Sequence, residues 1–319
     1  ILAAGFGSRL KPLTSRVPKP LVACAGRRLI DYSFDLVQAL GCERVIINAH
    51  HLAEELQRRM AQRLPYGMEI IWSVEEELRG TGGALKEVEG LIDDTLLLAN
   101  ADIMIELDAA AMLRAHATSG ARATLALHPA HDGEDYGVVR RDADGWVTDI
   151  VGGVAKLETG YERAAAEGTT LPPLPEPSSK GSACYFRGVH LLEPAAIAAL
   201  PDTLFSCVVR QGYIPQIADG AKVHGYMCQG SWADAGTPQR LMDAHELFWR
   251  AEAPVVERGA YIGLKTELHG KTHVAAGADV GHSCHLTDVL VHPDAVVPPR
   301  TVLNRAIVYG RRGQAWTFD

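Results

Sequence analysis

The chain runs to 319 residues, 47% hydrophobic and 22% charged, with 31 lysines and arginines against 39 aspartates and glutamates. That length accommodates one large folded unit plus a smaller one, and no apolar run reaches membrane-spanning length. A formal net charge of −8 argues against nucleic acid and anionic membranes as principal partners, so an anionic substrate needs a local basic patch.

Such a patch opens the chain. Ile1 to Ala4 reads as a short buried strand, and Gly5-Phe6-Gly7-Ser8 as a turn whose backbone N–H groups can converge on phosphate oxygens. Arg9, Lys11, Arg16 and Lys19 supply charge for a polyphosphate. The dinucleotide fingerprint does not fit, because Leu10 stands where its third glycine belongs, and no Gly-Lys-Ser/Thr follows this glycine turn to close a P-loop. Downstream, Leu29, Tyr32, Leu36 and Leu40 predict a helix over 28–40. A strand over 44–48, a helix over 52–64, a strand over 69–74, a helix from Gly83 and an apolar strand over 95–99 follow. This alternation argues an α/β fold with a mainly parallel sheet, and ligands in such sheets bind beyond the C-terminal strand ends.

The pattern then changes. Residues 136–150 read as a hairpin about an Asp144-Gly145 turn, and residues 164–181, rich in proline at their end, as a mobile insertion. A strand over 183–191 and a helix over 238–250 precede a six-residue period: Ile262, Leu268, Val274, Val280 and Leu286, then, after an offset, Leu290, Val296, Val302 and Val308. One inward aliphatic every six residues predicts a parallel β-helix, dividing the chain into domains 1–254 and 255–319. Within that tail, His269, His273, His282, His285 and His292 are expected to face solvent rather than hold zinc. Six cysteines without Cys-x-x-Cys spacing suit reduced thiols and a cytoplasmic protein.

Two further segments point to chemistry. Asp102 closes the apolar strand, where a carboxylate faces the ligand crevice and suits Mg²⁺. Glu75 to Leu85 holds Gly80-Thr81-Gly82-Gly83, which lets backbone groups approach a flat base, with Glu75 and Gly80 the foremost candidate contacts.

Leu2-Ala3-Ala4-Gly5-x-Gly7-Ser8-Arg9-Leu10-x-Pro12-Leu13-Thr14, followed by Pro18-Lys19-Pro20-Leu21, resembles the signature of the sugar-1-phosphate nucleotidylyltransferases. Glu75 to Gly83 is similar to their base-binding stretch, and Trp232-x-Asp234-x-Gly236-Thr237 to a later family motif. The resemblance implies a Rossmann-like mixed-sheet, GT-A-like nucleotidyltransferase domain followed by a short left-handed parallel β-helix, a possible homo-oligomer contact. It implies nucleotide binding by Leu2, Ala3, Ala4, Gly5, Gly7, Ser8, Arg9, Lys19, Glu75, Gly80 and Thr81. Arg9 and Lys19 would hold the departing phosphates; Asp102 and Asp234, paired only by the resemblance, would hold Mg²⁺. The family's Glu-Lys-Pro is absent, leaving Lys156, or else Lys180, for the sugar phosphate, with Gly137 and Gly188 near the sugar. The implied reaction joins a nucleoside triphosphate to a sugar 1-phosphate, with GTP and mannose 1-phosphate favoured over UTP with N-acetylmuramate or glucose 1-phosphate. The alternative is a non-catalytic nucleotide-sugar-binding regulatory subunit, which the missing Glu-Lys-Pro favours and the retained carboxylates and cations oppose.

Overall fold

The computed structural model describes residues 1–61, 67–130, 137–151 and 181–319. Lys156, Lys180 and nearly all of the expected insertion over 164–181 lie outside the described residues.

Arg44–Ala49 and Glu69–Val74 pair in parallel along their whole length. Leu2 bridges in parallel to Asn48 on one side and Asn100 on the other, so the expected first strand survives as a single-residue link. Beyond it, Ser182–Leu192 runs antiparallel to Leu96–Ala99, Ala123–Pro129 and Val138–Arg141. Val223–Met227 adds in parallel to Ala123–Pro129. The architecture is therefore mixed rather than mainly parallel, because Ser182–Leu192 reverses direction where the sheet is widest. The expected hairpin forms from Val138–Arg141 and Val147–Val151, with Asp142 accepting the N–H groups of Asp144 and Trp146 across the turn.

The helices follow their apolar spacing. Leu29–Ala39 buries Leu29, Ile30, Phe34, Leu36 and Val37, and Asp31 accepts the Arg28 N–H at 3.0 Å to satisfy its first turn. Ala53–Ala61 buries only Leu56 and Met60 beneath a charged face. Gly80–Glu87 begins three residues before the expected start, because Gly82 donates its N–H to Ser206 at 2.8 Å and the segment packs from Gly80 onward. Pro238–Phe248 starts at Thr237, whose hydroxyl accepts the Arg240 N–H at 3.3 Å.

From Val255 onward, short strands stack in parallel. Val256 opposes Val274, Ile262 opposes Val280 and Leu268 opposes Leu286, each pair eighteen residues apart. The next layer is one residue tighter: Val274 opposes Val291, Val280 opposes Val297 and Leu286 opposes Leu303. The residue is lost between Leu286 and Val291, where Asp288 turns through a φ of 55°. The expected second phase is therefore off by one over part of its length. Val291, Val297 and Leu303 belong to the stack's interior cluster, whereas Val302 is 72% exposed and Leu290 packs outward.

Leu290 packs outward against the first unit. It shares a core with Ile30, Phe34, Leu241, Phe248, Ile307 and Tyr309, so stack and sheet are joined by a common apolar seam. Two of the five tail histidines depart from expectation at this seam. His269, His282 and His285 are exposed, but His273 and His292 are wholly buried, as is His245 of helix Pro238–Phe248. The stack turns that side toward the helix, and His245 Nε2 donates to the Lys271 carbonyl at 2.6 Å while its Nδ1 accepts the Ala25 N–H.

Candidate active site

The glycine turn is held from beneath and open above. Gly7 adopts φ 61° and starts the tight turn Ser8–Leu10; a Cβ there would crowd Thr14 at 3.0 Å and Lys19 at 3.2 Å. The Thr14 hydroxyl donates to the Gly7 carbonyl at 2.7 Å, and the Phe6 ring meets His50 edge-on. Gly5 is different: it is exposed, and a Cβ on it would meet nothing within 4 Å. The turn thus presents backbone and the exposed Arg9 to whatever approaches.

Lys19 reaches Asp102 at 2.5 Å, closing a contact between residues 83 positions apart. Asp102 follows strand Leu96–Ala99, whose extension is fixed where the Ala101 N–H donates to Leu2. Partial burial works to raise the Asp102 pKa, but the Lys19 ammonium and the Arg9 guanidinium outweigh it and hold the carboxyl below its ordinary range. Trp232–Asp234 pairs antiparallel with Ile103–Ile105, and Asp234 opposes Ile103, one residue from Asp102. Two carboxylates separated by over a hundred residues therefore end on adjacent strands. Asp234 accepts from Arg240 at 2.9 Å. A Cβ on Gly236 would sit 2.9 Å from the Asp234 carboxylate and 3.0 Å from Arg9, so a larger residue there would crowd both.

This donor set fits magnesium. It offers two hard carboxylates, and the described residues contain no group of three or more His, Cys, Asp or Glu placed to hold a metal. Mg²⁺ takes one or two carboxylates and completes its shell with water and phosphate oxygens, whereas zinc wants a closed set of nitrogen and sulfur ligands. Both carboxylates already lie against cations, which marks the spot as one that concentrates negative charge.

The base-binding expectation meets a different arrangement. Glu75 is 3% exposed; its carboxylate accepts from Asn48 Nδ2 at 2.7 Å and from the Arg79 N–H at 3.0 Å. Burial pushes its pKa up. Its observed work is to hold the turn at 75–79 from inside. The close approach that Gly80, Gly82 and Gly83 permit is taken by the chain's own Leu204 to Ser206: a Cβ at Gly80 would lie 2.5 Å from the Ser206 carbonyl. The Thr81 hydroxyl likewise accepts the Val208 N–H at 3.0 Å. Gly137 heads strand Val138–Arg141. Gly188 is buried at φ 75° against the Asn100 side chain, which places it beside the Asp102 strand end.

Two residues here carry no sequence signal. Asn48 accepts the Ala3 N–H at 2.7 Å while donating to Glu75, so one amide ties the glycine-turn strand to the 75–79 turn. Arg187, immediately before Gly188, is 4% exposed with its guanidinium 4.0 Å over the Trp232 ring. The Trp232 indole N–H donates to the Arg187 carbonyl at 3.0 Å, so ring and cation are fixed together two residues from Asp234.

Residues 1–152 match the family model described as nucleotidyl transferase. A mannose-1-phosphate guanylyltransferase of Mycobacterium tuberculosis is 27% identical over 318 residues, spanning 96% of this chain and 82% of its own. A UTP–glucose-1-phosphate uridylyltransferase of Synechocystis is 26% identical over 215 residues, 63% of this chain and 50% of its own. Among solved structures, HddC from Yersinia pseudotuberculosis complexed with GMP-PN superposes with a TM-score of 0.58 at 20% identity, covering 77% of this chain and 97% of that one. No helix among the described residues is long and apolar enough to cross a membrane.

Proposed function

We propose that this chain, whose residues 1–152 match the family model described as nucleotidyl transferase, transfers a nucleoside monophosphate from a nucleoside triphosphate to a sugar 1-phosphate. The observation that carries the reading is the convergence of the open glycine turn, Arg9, the Lys19–Asp102 pair and Asp234 on neighbouring strand ends. An oxygen of the sugar phosphate attacks the α-phosphorus, that P–O bond forms as the bond to the β-phosphate breaks, and pyrophosphate leaves. Arg9 and Lys19 offset the charge that gathers on the departing pyrophosphate. Asp102 and Asp234 are the residues that would hold Mg²⁺. Once bound, the metal supplies positive charge against the crowded phosphates. Such a site works by positioning and electrostatics and needs no protein nucleophile.

On the acceptor side, Gly137 and Gly188 line the approach, and Arg187 is the cation we assign to the sugar phosphate among the described residues, with Lys156 its companion from outside them. GTP with mannose 1-phosphate is the favoured pair, supported by the guanylyltransferase names among the relatives. Residues 255–319 are read as a separate domain, a short left-handed β-helix, on the strength of the parallel stacking at seventeen- and eighteen-residue intervals.

The test is pyrophosphate release with Mg²⁺, screening four nucleoside triphosphates against mannose, glucose, N-acetylglucosamine and N-acetylmuramate 1-phosphates. Release with one pair names both substrates. Silence throughout, with a nucleotide sugar still raising the melting temperature, rejects turnover in favour of a binding subunit.

A further inference from the structure

Arg16 belongs by sequence to the basic run that opens the chain, yet it does not join Arg9 and Lys19. Instead Arg16 and Val17 form one wall of a cleft of about 770 Å³, faced by the turn at Gly310 to Gln314 that ends the C-terminal stack. Arg311 and Arg312 of that turn also line it, as does Arg59 from helix Ala53–Ala61. Arg59 is held by Glu55 at 2.5 Å and lies 3.6 Å from Asp294, the one carboxylate in the lining. The side chains of Arg16, Arg311 and Arg312 are exposed and make no hydrogen bond or ion pair among the described residues. The lining thus carries four arginines from three separate segments; Arg59 is already paired with Glu55 and Asp294, whereas Arg16, Arg311 and Arg312 are not paired among the described residues, in a chain whose net charge is −8.

We propose that this cleft binds a multiply phosphorylated small molecule, at a place separate from the candidate active site. Cations that line one cleft repel one another, and an anion bound among them offsets that repulsion. Guanidinium matches phosphate oxygens with paired hydrogen bonds. The cleft also touches the phosphate-facing turn. Its wall includes Leu13 and Ser15, which flank Thr14, and the Thr14 hydroxyl holds the Gly7 carbonyl that begins the turn bearing Arg9. A ligand that orders this wall therefore changes how firmly the turn is held, and so tunes nucleotide binding. Binding in the cleft stands independently; its effect on turnover rests on the transferase reading.

The test is calorimetric titration of the full chain with inorganic tripolyphosphate at about 0.1 M ionic strength, where surface charges are largely screened beyond about 10 Å. Three proteins are compared: wild type, Arg311→Glu/Arg312→Glu and Lys19→Ala. The double variant should melt at the wild-type temperature, since neither side chain has a partner to lose. The expected result is a binding event that survives Lys19→Ala and weakens at least about tenfold in the double variant. If the double variant titrates like wild type, or if Lys19→Ala removes all binding, the cleft is not a site. If pyrophosphate release is silent for every substrate pair while the Lys19-independent event persists, the transferase reading fails and the cleft stands.

Discussion

Replacing His292 with leucine should stabilise this protein and flatten its response to acid. His292 is wholly buried at the seam, its backbone N–H donates to the Val308 carbonyl, and neither ring nitrogen has a hydrogen-bond partner among the described residues. A neutral imidazole carries one donor and one acceptor, and leaving buried groups of this kind unmet costs about 1–3 kcal/mol. Leucine of similar bulk removes that cost, less about 1 kcal/mol for imperfect packing. The acid response is a separate effect. Burial, with His273 and His245 as neighbours, lowers the His292 pKa from 6.5 to about 3. The unfolded chain therefore binds the proton first, and this residue subtracts stability as pH falls below 6.5, by about 2 kcal/mol at pH 5. The Glu257 carboxylate bonds His273 at 3.0 Å, the Lys271 carbonyl accepts from His245 and the Lys271 ammonium donates to the Glu246 carbonyl, so none of these groups is bonded to the His292 ring. Urea unfolding followed by tryptophan fluorescence at pH 7.5 and pH 5 measures both effects. The variant's advantage should grow by about 2 kcal/mol between the two. A variant less stable than wild type at pH 7.5, with the same loss on acidification, would refute the reasoning.

Asp102→Asn and Asp234→Asn should each lower pyrophosphate release on the order of 10²–10³-fold while circular dichroism stays unchanged; full activity in either would remove that carboxylate from the site. Gly83→Ala should lower the melting temperature, by about 1–3 kcal/mol of stability, because its Cβ would lie 2.5 Å from the Leu204 carbonyl. Gly5→Ala, with nothing within 4 Å, should melt as wild type yet bind nucleoside triphosphate more weakly, as titration would show. Arg187→Ala should raise KM for the sugar phosphate more than KM for the nucleotide, with partial recovery in Arg187→Lys; equal rises in both would assign Arg187 to packing against Trp232 alone.

How far the sequence could be read depended on the range of the physics involved. The glycine turn, Lys19 and the strand ending at Asp102 were readable because each is local: a spacing of turn formers, a charge, an apolar run. Asp234 was not pairable with Asp102 from the residues themselves, since only the antiparallel register with Ile103 brings them together. The glycines at 80, 82 and 83 announced a close approach but not its partner, and the partner is Leu204 to Ser206. The tail's period was clear until one residue was lost near Asp288, after which the inward set moved from Val296 and Val302 to Val297 and Leu303. His273 and His292 look like surface residues in sequence because the helix that covers them lies elsewhere in the chain. Arg187 and Asn48 sit in ordinary strand contexts, and only their neighbours in space give them work.

The contact between residues 80–83 and 204–206 also bears on how this protein can diverge. With the Ser206 carbonyl, the Ser206 hydroxyl and the Leu204 carbonyl standing where three side chains would begin, a change in either segment is felt by the other. A lineage that acquires alanine at position 83 recovers the stability it loses by lengthening or redirecting the loop at 204, although some 120 residues part them along the chain. The two stretches are thus a single heritable unit. In a collection of descendants, changes at either should arrive together, and a chimera that takes one from a distant relative without the other should melt below both parents.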